Sequence, residues 1–271
     1  MYRQFPAAPA LRPYVAGYWF LKGRMSAAGL TAWLPTDLCA DIIIKLGDPY
    51  TRHAAGGARL EAVRFSNVDA QRSHAVTFVQ QGCAKVIGIR FVPGGLAAFL
   101  PLPMALISEQ VLALSELFGP EAKLLEERLD AAASAAACAA LLDSFLLARF
   151  NTAVGRHQQL LRQMGCLLLE GYKLPEVARQ LGVSERSIRR YSQAVLGVSP
   201  KRYARVLRFK QVMAALERAP ELGWDELIFL CGYYDQAHFI KEFQTFAGVT
   251  PEAYRQRLAD RFLQDSLAPI A

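Results

Sequence analysis

Short runs of β-branched and aromatic residues mark the first hundred positions, at 14–21, 41–46, 76–81 and 86–92. Gly47-Asp48-Pro49, Gly56-Gly57 and Pro93-Gly94-Gly95 separate them. Apolar runs of this length between turn-forming clusters predict strands, and several together predict a barrel or a sandwich. The period then changes. Ser108 with Glu109 in a first turn predicts the opening of a helix, and Pro120 stands at a helix-entry position before a helical pattern over 121–132. A further helix is predicted over 134–150. Beyond Asn151-Thr152 the spacing is helical throughout: Leu160, Leu161, Met164, Leu167 and Leu168 share one face, and Gly171 stops that helix. The predicted fold is therefore α+β. A β-rich domain, barrel or cupin-like, covers 1–107, a helical connector 108–150, an all-α domain 151–262 and a tail 263–271.

Within the all-α part, Pro175 opens a helix that runs to Leu181. Gly182-Val183-Ser184 makes a tight turn, with Ser184 as N-cap of the next helix. Ala178, Gly182 and Ile188 have the spacing of a helix-turn-helix. Ala178 is small enough for a close crossing, Gly182 accepts the positive φ of the turn, and Ile188 anchors the second helix. At about 100° per residue, Ile188, Tyr191, Ser192 and Val195 fall on one side of that helix. Arg186, Arg189, Arg190 and Gln193 fall on the other, with Ser187 between. Guanidinium and amide groups can pair bidentately with guanine and adenine edges. The competing reading is a solvated basic face.

The pattern repeats. The segment 196–203, LGVSPKRY, returns as 247–254, AGVTPEAY, an offset of 51 residues. Ile188 then matches Phe239, and Gly182 matches Gly232 with one extra residue in the turn. A second helix-turn-helix is predicted over about 224–247. Phe239, Phe243 and Phe246 form its core, Asp235 caps it, and Gln236, Ala237, His238, Lys241 and Gln244 lie elsewhere on its surface. Ser199-Pro200 and Thr250-Pro251 each read as an N-cap followed by Pro at the first helical position. Helix starts of this kind can hold phosphate on backbone N–H groups. A connecting helix over 200–218 spans about 28 Å at ~1.5 Å per residue, against about 34 Å between successive major grooves. Lys201, Arg205 and Arg208 form its basic stripe beside Arg202.

Charge supports this placement. The net +7 of the 271-residue chain is concentrated between Arg179 and Lys210, where nine basic residues face one acidic residue, Glu185. A basic segment of this density points to a polyanion. Five scattered cysteines with no CxxC pair exclude a disulfide framework or a cysteine zinc site. No HExxH, GxSxG or Walker-type loop is present, so no catalytic residue, metal or cofactor is assigned. The longest apolar stretch, 94–107, is too short to span a bilayer and carries Pro101 and Pro103. With no signal-peptide pattern, the expected location is the cytoplasm, with no membrane partner.

The run Cys231-Gly232-Tyr233-Tyr234-Asp235-Gln236-Ala237-His238-Phe239, with Phe243, Gly248, Thr250-Pro251 and Tyr254-Arg255, resembles the second-unit signature of the AraC/XylS family of bacterial transcription regulators. The first unit matches through Ala178, Leu181-Gly182-Val183-Ser184, Arg186, Ile188, Arg190, Gly197 and Ser199-Pro200, so the resemblance covers about 156–260. Two positions depart from the pattern: Ser192 stands for a buried aromatic, and Ile228 for an alanine. The resemblance implies two recognition helices, about 184–195 and 236–247, in successive major grooves of promoter DNA. Arg186, Ser187, Arg189, Arg190 and Gln193 would read bases in one groove, and Gln236, Ala237, His238 and Lys241 in the other. Ser184, Ser199, Lys201, Arg202, Arg205 and Thr250 would meet phosphates. RNA polymerase and a second copy of the chain are further partners it implies.

Leu34-Pro35, Cys39-Ala40-Asp41-Ile42-Ile43 and the run 86–95 resemble a β-rich domain often fused to this unit. By analogy that domain senses a small molecule or mediates dimerisation. Trp19, Trp33, Asp41 and Arg90 are its candidate pocket residues. The two tryptophans also read as core aromatics, and Asp41 with Arg90 as a structural ion pair. His53 and His74 alone do not supply a cupin-like metal centre. Two other functions stay open: an enzyme that uses the basic helices for targeting, and a module that docks an acidic protein.

Overall fold

The computed structural model describes residues 2–26, 29–54 and 58–258, apart from the side chains of 59–61 and 153. The Gly56-Gly57 turn, residues 259–262 and the tail 263–271 lie outside the described residues.

The N-terminal part forms two antiparallel sheets. The larger contains, in spatial order, β1 (Tyr2–Phe5), β2 (Val15–Arg24), β9 (Cys83–Phe91), β4 (Asp41–Lys45), β7 (Asn67–Asp69) and β10 (Val111–Ala113). The smaller contains β3 (Leu30–Leu34), β8 (Val76–Gln80), β5 (Tyr50–Ala54) and β6 (Arg59–Val63). β4 is an unbroken isoleucine run because both of its faces are covered. Ile42 and Ile44 belong to the main core, while Ile43 faces the second sheet with Tyr50, Val63 and Val86. The larger sheet is therefore a partition, with helices on one side and an inter-sheet space on the other.

Those helices are α1 (Leu114–Phe118), α2 (Pro120–Ala131) and α3 (Ala135–Leu147). Leu125 and Leu129 of α2 and Leu142 and Leu146 of α3 are buried in the same core as Ile42 and Ile44. Ser134 caps α3 by accepting the Ala137 N–H at 3.1 Å. The helix predicted from Ser108 is not formed. A 3-10 turn (Met104–Leu106) precedes it, Glu109 has a φ of 67°, and Val111–Ala113 pairs with Asn67–Asp69 as a strand. Positive φ at Glu109 is incompatible with a helical first turn, and β10 carries the sheet past the predicted edge at 107.

The rest is helical: α4 (Thr152–Leu169), α5 (Leu174–Gln180), α6 (Glu185–Tyr191), α7 (Pro200–Arg218), α8 (Trp224–Leu230) and α9 (Gln236–Ala247), then a final helix over 251–258. These helices share one hydrophobic core with the outer face of the larger sheet, from Tyr18 and Phe91 through Leu161, Val195 and Val206 to Phe243 and Phe246.

Candidate nucleic-acid interface

In the first unit, α5 and α6 meet through a turn in which Gly182 has a φ of 65° and open space around the position of a Cβ. Glycine is therefore required there for its backbone angle. The Ser184 Oγ accepts the Ser187 N–H at 3.1 Å and lies 2.9 Å from the Ser187 hydroxyl, so both serines are engaged at the helix start. Ile188 is fully buried, while Arg186, Arg189, Arg190 and Gln193 are exposed. Arg189 donates to Glu185 at 2.7 Å, an exposed i,i+4 pair that is easily exchanged for another anion. Arg190 lies over the Tyr191 ring at 5.2 Å, and Tyr191 stacks on His157 with ring centroids 4.0 Å apart. Desolvation first, and then the charges of Arg156 and Arg190, lower the His157 pKa.

The first recognition helix is α-helical only to Tyr191 and continues as a π-helical turn over Ser192–Leu196. Ser192 is fully buried, and its Oγ donates to the Val198 carbonyl at 2.6 Å. The hydroxyl replaces aromatic bulk with a hydrogen bond across the widened turn, and Tyr191 stays half-buried.

In the second unit the Asp235 carboxylate caps α9 on the His238 N–H at 2.7 Å. Phe239, Phe243 and Phe246 are buried, and Gln236, Ala237, His238 and Lys241 are exposed. Ile228 is buried with Leu227 in α8, which accommodates the larger side chain. Glu242, absent from the sequence-derived site, is 1% exposed and accepts from Arg205 Nε at 2.6 Å. Its position among Lys241, Phe243 and Phe246 gave the only sequence signal, a carboxylate on the phenylalanine face.

That ion pair ties α7 to α9 through the Nε of Arg205, a side chain that is 37% exposed. The Arg202 Nη2 donates to the Ser73 carbonyl of the N-terminal domain at 3.0 Å. Lys201 remains exposed. Ser199 and Thr250 cap their helices, accepting from the Arg202 and Ala253 N–H groups at 3.3 and 3.1 Å.

Both units dock on the β-rich domain at equivalent ends. At the first, Ser108 Oγ donates to the Gly197 carbonyl at 3.3 Å. At the second, the Thr36 N–H donates to the Phe246 carbonyl at 3.0 Å, and the Trp33 indole donates to the Ala247 carbonyl at 3.1 Å. Trp33 is therefore not a pocket residue, because its ring packs 5.5 Å from Tyr254. The other three candidates do line a cavity of about 610 Å³ between the two sheets. Trp19 forms part of its apolar wall. Asp41 and Arg90, paired at 2.6 Å, meet Asp69 at one end. Leu30, Ala32 and Leu34 of β3 line the same cavity, on alternate positions from Trp33.

No helix among the described residues is long and apolar enough to cross a membrane. No curated protein sequence matches the chain. A helix-turn-helix domain family matches residues 177–257, and a domain of unknown function (DUF6597) matches residues 3–113. Among solved structures, ToxT from Vibrio cholerae is similar at 11% identity and a TM-score of 0.45, covering 88% of this chain and 97% of that one. A ToxT structure with bound unsaturated fatty acid gives 9%, 0.40, 86% and 96% for the same measures. The C-terminal domain of AraT, a response regulator from Geobacillus stearothermophilus, is 27% identical over 38% of this chain and 84% of its own, with a TM-score of 0.32. Two repeated helix-turn-helix units with exposed basic and amide faces, joined by one helix, make residues 177–257 a DNA-binding domain of the matched helix-turn-helix family, and the chain that carries it a transcriptional regulator.

Proposed function

We propose that α6 and α9 enter successive major grooves of a promoter, and that a small molecule in the inter-sheet cavity alters that binding through β3. One observation carries the second half. β3 turns Leu30, Ala32 and Leu34 to the cavity and Trp33 to the second unit. A ligand that shifts β3 by a fraction of an ångström therefore acts on both sides of a single strand. The first half is supported by the exposed Arg186, Arg189, Arg190 and Gln193 on one helix and Gln236, Ala237, His238 and Lys241 on the other. Arg189 and Arg190 suit guanine, and the amides suit adenine. Lys201 and the capped starts at Ser184, Ser199 and Thr250 supply phosphate contacts. RNA polymerase and a second copy of the chain complete the set of partners, on the family resemblance.

The test is titration of the full chain with labelled fragments from its own genomic neighbourhood, against random DNA at physiological salt. Specific binding is expected to exceed non-specific binding by at least ~10³-fold. Equal affinity for both would overturn the reading.

A further inference from the structure

Resting on the effector reading above, we propose that the cavity takes an uncharged, planar, largely apolar ligand that stacks on Trp19 and places one hydroxyl or N–H donor on Asp41 Oδ1. The body of the cavity is apolar, with Trp19, Leu21, Ile43, Phe78 and Val86 around it. Trp19 is paired across the sheet with Gly88, where a Cβ would run into the indole ring. The missing side chain lets the ring lie against the backbone of β9. A planar molecule matches that flat surface by offset stacking.

The polar end fixes the head group. Asp41 stands directly opposite Asp69 on β7 and Arg90 on β9. Asp69 accepts from Arg72 at 2.5 Å and from Arg52 at 3.4 Å. Asp41 Oδ2 accepts from Arg90 at 2.6 Å, and Arg90 also donates to Asp37. Asp41 Oδ1 is buried and has no hydrogen-bond partner among the described residues. A buried acceptor in this state is stabilised by any donor that reaches it.

Charge decides which donor. Asp37, Asp41 and Asp69 are balanced by Arg52, Arg72 and Arg90 in one cluster. An ammonium group would bring a further positive charge beside Arg90 and Arg72, and a carboxylate would sit against Asp41 and Asp69. A hydroxyl or N–H satisfies the orphaned oxygen without changing the charge count.

The experiment is calorimetric titration of the full chain with four probes on one naphthalene body: 2-naphthol, its methyl ether, 2-naphthoate and 2-naphthylmethylammonium. The naphthol is expected to bind at least ten-fold more tightly than each of the others. It is also expected to lose most of that advantage in Asp41→Ala. Ala32→Trp, on the edge strand that lines the cavity and with no part in the Asp–Arg ion pairs, is expected to abolish binding of all four. A methyl ether as tight as the naphthol would overturn the donor assignment, and a tighter ammonium would overturn the charge argument. The same samples titrated with operator DNA keep two failures apart. If Ala32→Trp changes operator affinity but no probe binds, the ligand class falls and the effector reading stands. If naphthol binds but neither it nor Ala32→Trp changes operator affinity, the coupling through β3 falls and the ligand class stands.

Discussion

The Trp33 indole donates to the backbone carbonyl of Ala247, the last residue of α9, at 3.1 Å. Carbonyls in the last turn of a helix lack intrahelical donors, and here the β-rich domain supplies them. Phe246 receives the Thr36 N–H one residue earlier. Gly197, which the 51-residue repeat aligns with Gly248, receives the Ser108 hydroxyl at the first unit. The N-terminal domain thus holds corresponding ends of both recognition segments. The separation of the two units is set by that grip together with α7.

Trp33→Phe removes the donor and keeps an aromatic ring against Tyr254. It is expected to cost about 1 kcal/mol, the net worth of one hydrogen bond. Amide hydrogen exchange over 243–254 is expected to accelerate, while exchange in α5 and α6 stays as it was. Unchanged exchange in the last turn of α9 would show that the indole does not tie the second unit to β3.

The two-unit helical architecture was legible in the sequence because each unit carries its own periodic core and a cap whose chemistry is local: Ser184, Ser199, Asp235 and Thr250 all cap where the pattern places them. Strands β2, β4, β8 and β9 were legible for the same reason, as continuous apolar runs. β3 and β5 were not, because Leu30–Leu34 and Tyr50–Ala54 mix polar residues into short strands whose partners are distant in sequence. The fates of Arg202, Arg205 and Trp33 were equally hidden. Each is decided by a partner 37 to 214 residues away: Glu242 for Arg205, Ser73 for Arg202 and Ala247 for Trp33. A basic stripe on a helical wheel does not show which of its members also bonds within the chain.

Arg186→Ala removes an exposed guanidinium from the first recognition helix. The expected cost is about 1–3 kcal/mol, confined to operator variants that keep one particular base pair. Fluorescence anisotropy against a panel of single-base operator substitutions measures it. A uniform loss across the panel, with a shallower salt dependence, would make Arg186 a phosphate contact.

Arg205→Ala is expected to behave differently, because it leaves the carboxylate of Glu242, whose side chain is 1% exposed, with the half-exposed His238 at 3.7 Å as its ion-pair partner. Removing the closer partner of a buried charge costs up to about 3 kcal/mol here, the low end for such a loss, since Arg205 itself is partly in solvent and His238 stays near the carboxylate. Denaturant unfolding should show a destabilised C-terminal part, with the salt slope of the remaining DNA binding preserved. A flattened salt slope at unchanged stability would return Arg205 to the phosphate backbone.

The cavity end carries a pH signature of its own. Burial pushes the Asp41 carboxyl from 3.8 up to about 6, against the pull of Arg90 and Arg72. The folded chain therefore holds the Asp41 proton more tightly than the unfolded chain does. The stability this group contributes is fully present below about pH 4 and is lost as pH rises through about 6. Asp41→Asn cannot ionise and escapes that loss. Its stability relative to the parent chain is thus expected to be more favourable near pH 7.5 than near pH 4.5, by about 2 kcal/mol at 1.36 kcal/mol per pKa unit. The constant offset from the altered Arg90 pairing cancels in this comparison. A donor placed on Asp41 Oδ1 favours the carboxylate, so 2-naphthol should raise the melting temperature of the parent chain more at pH 7.5 than at pH 4.5. Parallel melting curves for Asp41→Asn and the parent chain across that range would show that Asp41 ionises as an ordinary carboxylate and that the cavity floor is not the low-dielectric site its burial implies.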